Sequence, residues 1–83
     1  MKVRIKYFAS VREAIGQADE LLETQAADLA ALRTELIGRG GVHAEALARG
    51  KAVRMALDQV MSGEAAALHD GAEIAFFPPV TGG

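Results

Sequence analysis

Two histidines, His43 and His69, and eleven Asp and Glu residues are the side chains that could move a proton or hold a metal. The histidines are far apart in the chain. Neither has a second histidine or a carboxylate at ligand spacing, so both are expected to be solvent-exposed and structural. Glu13, Glu20 and Glu23 fall at capping and strand positions, which argues against a general acid–base pair. Gly38, Gly40 and Gly41 resemble a phosphate loop only superficially, because they follow a helix instead of opening one and no Lys-Ser or Lys-Thr pair comes next. With no cysteine in the chain, thiol nucleophiles, disulfides and Cys-containing zinc sites are excluded together. A further candidate is the α-carboxylate of Gly83, singled out by its setting. It follows Phe76-Phe77-Pro78-Pro79-Val80-Thr81-Gly82. Two prolines stiffen the exit from a strand, and two residues without Cβ atoms end it. Such an arm fits a narrow channel in a partner and delivers its carboxylate there.

An arm needs a platform, and 83 residues leave room for a single domain. Hydrophobic residues make up 51% of the chain, but seventeen residues are alanine, so the core must come from Leu, Ile, Val, Met and four aromatic positions. A chain of this size buries roughly 60% of its unfolded surface, enough for one modest core and too little for a deep substrate cavity. A multidomain enzyme is excluded. The net charge is −2 and the basic residues are scattered, so neither nucleic acid nor an anionic membrane is an expected partner. No apolar run reaches the roughly 20 residues of a membrane span, and the start lacks the apolar region of a signal peptide. A cytoplasmic location is expected.

Lys2 to Phe8 alternates strictly, with Val3, Ile5 and Tyr7 on one face and Lys2, Arg4, Lys6 and Phe8 on the other. Ser10 and Glu13 have capping-box spacing for a short helix that stops at Gly16. Asp19 to Thr24 reads as a second strand. Asp28 is placed to cap the main helix, whose stripe is Leu29, Leu32, Leu36 and Ile37 and whose end is marked by Gly38, Gly40 and Gly41. Val42 to Arg49 suggests a further short helix. Val53, Met55 and Leu57 share a strand face, and Asp58-Gln59 is a turn into a short strand at Val60 and Met61. Ser62 to Ala67 reads as a loop and His69-Asp70-Gly71 as a turn. Glu73 to Phe77 is the last strand, with Ile74 and Phe76 opposite Ala75 and Phe77. The order implies an α+β fold with one main helix across a mixed sheet. If the first and last strands are neighbours, Phe8 and Phe77 join into one outward apolar patch, a docking surface.

The C-terminal run Ala75-Phe76-Phe77-Pro78-Pro79-Val80-Thr81-Gly82-Gly83, Asp70-Gly71 with Glu73 and Ile74, Phe8-Ala9 with Val11-Arg12-Glu13, and Leu29 with Leu32-Arg33 together resemble the MoaD-type sulfur carriers. These are small subunits of molybdopterin synthase within the ubiquitin-like, β-grasp class. The resemblance implies a β-grasp domain over residues 1–77, with about five strands and one main helix, and a flexible tail over 78–83. It implies that Gly83 is adenylated by an ATP-dependent activating enzyme, converted to a thiocarboxylate with sulfur from a sulfurtransferase, and inserted into the large subunit. Pro79, Val80, Thr81 and Gly82 would line that insertion. Phe8, Met61 and Phe77 match the family's docking patch. The chain would bind no cofactor of its own, ATP being used by the activating partner, and would be non-catalytic alone. Two other readings are a ubiquitin-like carrier for another acceptor (a thiamine precursor, tRNA thiolation or a conjugated protein) and a plain interaction module.

Overall fold

The computed structural model describes residues 1–79, and Val80, Thr81, Gly82 and Gly83 lie outside the described residues. The elements follow as β1 (Lys2–Tyr7), α1 (Ala9–Ile15), β2 (Asp19–Glu23), α2 (Leu29–Ile37), α3 (Gly41–Leu47), β3 (Arg54–Leu57), β4 (Val60–Ser62) and β5 (Glu73–Phe77). The five strands form one mixed sheet in the order β2-β1-β5-β3-β4. β1 and β5 are parallel, with Tyr7 opposite Phe76, and the other neighbours are antiparallel. This is the mixed α+β arrangement that the β-grasp resemblance implies, with the main helix α2 accompanied by the two short helices expected before and after it.

Alternation in β1 puts Val3, Ile5 and Tyr7 on the covered face, each with no more than 1% of its surface exposed. Ile74 and Phe76 of β5 join them, and the helices supply Leu29, Leu32, Leu36 and Leu47, all fully buried. Tyr7 and Phe76 stack with ring centroids 6.1 Å apart. Each such large side chain contributes about 1.5–3 kcal/mol by leaving water. The Asp28 carboxylate caps α2 by accepting from the Ala31 N–H at 2.8 Å, as its position predicts.

Local details differ from or add to expectation in four places. Phe8, not Ser10, is the N-cap of α1, and no side chain caps that end. Ala9 takes a left-handed φ of 51°, which starts the helix early enough to leave the Ser10 hydroxyl inside the first turn. Gly38 stays right-handed at φ −62°, and the reversal between α2 and α3 is made at Gly40 and Gly41, with φ of 75° and 55°. Ser62 closes β4, and Ala67 bridges to Asp28, so the segment between is shorter than the loop expected. Finally, α2 buries a charge, since Arg33 is only 5% exposed. Its Nε donates to the Leu47 carbonyl at 2.8 Å and its Nη2 to the Ala48 carbonyl at 2.9 Å, supplying partners that the end of α3 lacks.

Candidate functional site

The pleat that turns Val3, Ile5, Tyr7, Ile74 and Phe76 toward the helices turns Arg4, Lys6, Ala75 and Phe77 the other way. Register fixes what stands beside them. Ala75 is flanked by Lys6 of β1 and Ala56 of β3, and Ala56 by Met61 of β4. Phe77 is paired with Arg54. The Phe8 N–H donates to the Phe76 carbonyl at 3.1 Å, which extends the parallel ladder and sets Phe8 next to Phe77. Phe8 is 46% exposed, Met61 60% exposed, and Phe77 half-buried. Two alanines between the large residues form the floor of an apolar surface running from Phe8 and Phe77 to Met61.

All three docking positions singled out from sequence thus fall on this open face. Met61 reaches it because Asp58 and Gln59, with φ of 50° and 69°, make a two-residue turn of the primed kind that keeps β3 and β4 in register. Pro78 and Pro79, both half-buried, continue from the end of β5. Gly83, Gly82, Thr81 and Val80 are named as the sulfur-carrying and insertion residues and lie outside the described residues.

A second cluster lies on the covered side and was not foreseen. Glu20 accepts from the Tyr7 hydroxyl at 2.9 Å, from Gln17 Nε2 at 2.6 Å and from Arg39 Nη1 at 2.7 Å. His43 Nε2 stands 3.3 Å from the same carboxylate, and the His43 ring meets Tyr7 edge to face. His43 is therefore largely enclosed and paired, contrary to the exposed histidine expected, because α3 folds back over β2 and closes a sequence gap of 23 residues. Burial pushes the Glu20 carboxyl up, but the bonds from Arg39, Tyr7 and His43 outweigh it and hold the group below its usual range. Burial first, and the bond to Glu20 second, raise the Tyr7 phenol. The available signal was alternation itself: Glu20 shares a face with Leu22, and an inward carboxylate requires donors. Every member here holds another in place, so the cluster reads as a clasp between β1, β2, the segment after α2 and α3.

His69 is exposed, as expected, but it too has a carboxylate partner. Its Nε2 lies 2.5 Å from Asp58 Oδ2, while Asp58 Oδ1 accepts from the Glu73 N–H at 3.0 Å. The pair raises His69, and the Glu73 N–H followed by His69 lowers Asp58. Its geometric effect is to tie the hairpin turn, and with it Met61, to the start of β5. Among the described residues no three His, Cys, Asp or Glu side chains are grouped to hold a metal ion, and no helix is long and apolar enough to cross a membrane.

Comparison with known proteins agrees with this geometry. The chain is 41% identical over 81 residues to the molybdopterin synthase sulfur carrier subunit of Haemophilus influenzae, covering 98% of this chain and 99% of that one. It is similar in structure to a chain of the protein–protein complex of subunits 1 and 2 of molybdopterin-converting factor from Helicobacter pylori, at 26% identity and a TM-score of 0.70, with 100% of this chain and 100% of that chain covered. SAMP1 from Haloferax volcanii shares the fold, with a TM-score of 0.78 at 22% identity and 100% coverage of each chain. The description of the ThiS family matches residues 5–83, nearly the whole sequence, and the chain belongs to that family.

Proposed function

We propose that this protein is the sulfur carrier subunit of a molybdopterin synthase, carrying sulfur on the C-terminal carbonyl of Gly83. The observation that carries the reading is the joining of family membership to the open sheet face, where Phe8, Phe77 and Met61 form an apolar surface beside the root of a Gly-Gly end. A free carboxylate is ionised near neutral pH and resists nucleophiles, so it must first be activated. An activating enzyme transfers AMP from ATP to the Gly83 carboxylate and releases pyrophosphate. Sulfide-level sulfur, supplied through a sulfurtransferase, then displaces AMP and leaves a thiocarboxylate. The tail enters the large subunit, whose groups carry out sulfur transfer to the pterin precursor, and water replaces the departing sulfur so that Gly83 returns as a carboxylate.

In this reading the carrier contributes a platform and a cargo, and its histidines are engaged in holding the platform. Glu20 and His43 are bound into the clasp, and His69 ties the hairpin. Intact-mass measurement after incubation with ATP, a sulfur donor and the activating enzyme tests the first half. The expected product has one oxygen replaced by sulfur, confined to Gly83. An unmodified terminus would count against any carrier role. Addition of the large subunit and the pterin precursor tests the second half, with molybdopterin expected only from the charged tail; thiocarboxylate formation without it would move the chain to another acceptor.

A further inference from the structure

Four exposed cations, Lys2, Arg12, Lys51 and Arg54, have no ion-pair or hydrogen-bond partner for their side chains among the described residues. Three of the four surround the point where the chain leaves β5. Arg54 is the register partner of Phe77. Lys51 and Pro78 line the same cleft of about 200 Å³ between α1, α3 and the segment before β3. Arg12 shares a second cleft, of about 230 Å³, with Phe8. No carboxylate lines the cleft of Lys51 and Pro78, and the two that line clefts with Arg12 and Arg54 are already engaged: Asp19 bonds Arg4 at 3.2 Å, and Glu64 pairs with Arg49. Glu13 follows Arg12, but helical spacing points it directly away from the buried Val11 and Ile15 and so away from the sheet. A chain with a net charge of −2 therefore holds an uncompensated positive ring around the root of its tail.

We propose that Arg12, Lys51 and Arg54 form a cationic collar that docks against an acidic rim at the mouth of the large subunit's tail channel. The inference rests on the carrier reading and adds the partner's chemistry to it. Distance excludes the alternative that the collar serves the anions of the reaction. Gly83 stands four residues beyond Pro79, about 13 Å away when the tail is extended into a channel. That is well beyond ion-pair distance, so a group at Gly83 makes no direct pair with the collar. What does come within reach is the surface surrounding the opening. Charges at the rim of an apolar contact act chiefly on association rate and orientation.

The test is the association rate of the full-length carrier with the purified large subunit, followed over a range of salt concentrations. Neutralising the collar as Arg12→Gln, Lys51→Gln and Arg54→Gln together should slow association about tenfold or more at low ionic strength and flatten its salt dependence. Arg12→Lys with Arg54→Lys, which keeps the charge, should retain the wild-type rate. Lys2→Gln, the unpaired cation at the far end of the sheet, should have no effect. The collar is overturned if the neutral triple variant, shown by circular dichroism to be folded, associates at the wild-type rate with the wild-type salt dependence. It is equally overturned if Lys2→Gln slows association as much. Failure of the wild-type chain to associate at all would overturn the carrier reading and the collar together, whereas wild-type binding without a collar effect removes the collar alone.

Discussion

Tyr7 and Phe8 stand at the end of one central strand as Phe76 and Phe77 stand at the end of its parallel neighbour, yet each pair is divided between two functions. Tyr7 and Phe76 face the helices, stack on each other and are almost wholly enclosed. Phe8 and Phe77 face the other way, and Phe8 leaves nearly half its surface in water. The chemistry of the residues is nearly the same, and only the pleat differs. The difference teaches that in this sheet the inner aromatic of each pair specifies the fold, while the outer one is available to a partner at little cost in stability.

Truncating the inner ring should break the comparison most severely. Phe76→Ala is expected to lose about 3–5 kcal/mol, most of the stability of a small domain, measured by denaturant unfolding. Glu20→Ala should follow at about 1–3 kcal/mol, because it leaves the Tyr7 hydroxyl and Arg39 beside an empty position. Phe77→Asp should instead cost about 1 kcal/mol or less in folding while weakening binding to the large subunit at least tenfold, about 1.4 kcal/mol. Titration calorimetry together with a melt checks both. Collapse of the fold in that variant would place Phe77 with the core. Gln59→Gly should stabilise by up to about 1 kcal/mol, since glycine adopts the left-handed φ of 69° without strain.

The smallest effect concerns the tie between His69 and Asp58. His69 is raised, so its contribution is present below its unfolded pKa and is lost as pH rises through the folded one. Asp58 is lowered, so its contribution is present above its unfolded pKa and is lost as pH falls through the folded one. The melting-temperature gap between wild type and His69→Gln should therefore be widest between the unfolded pKa of Asp58 and the unfolded pKa of His69. It should close toward alkaline pH, and a gap that stays constant across that range would sink the idea.

What the sequence made legible was whatever depends on neighbours along the chain. Strict alternation separated Phe8 from Tyr7, and Ile74 and Phe76 from Phe77, so the open face and its aromatic pair could be drawn before any coordinates. The Asp28 cap and the turns at Asp58-Gln59 and His69-Gly71 were equally local. What escaped depends on groups brought together across the chain. His43 and Glu20 meet only because α3 returns to β2, and Arg33 is inside only because the carbonyls of Leu47 and Ala48 come to meet it. The capping box failed for a different reason: a single left-handed residue, Ala9, moved the helix start and outweighed the Ser10–Glu13 spacing. The sulfur-carrying role proposed for Gly83 came from resemblance, since no periodicity distinguishes one Gly-Gly end from another.

The parallel pairing of β1 with β5 has a consequence for the time at which the protein becomes usable. β5 is inserted between β1 and β3, so the centre of the sheet stays vacant until the final residues of the chain have been made. Phe8 waits through synthesis for Phe77, and the surface they share comes into being together with the tail beside it. A shortened chain that loses β5 loses its middle strand as well as its terminus. A product that stops short of β5 therefore cannot present the face that Phe8 and Phe77 share.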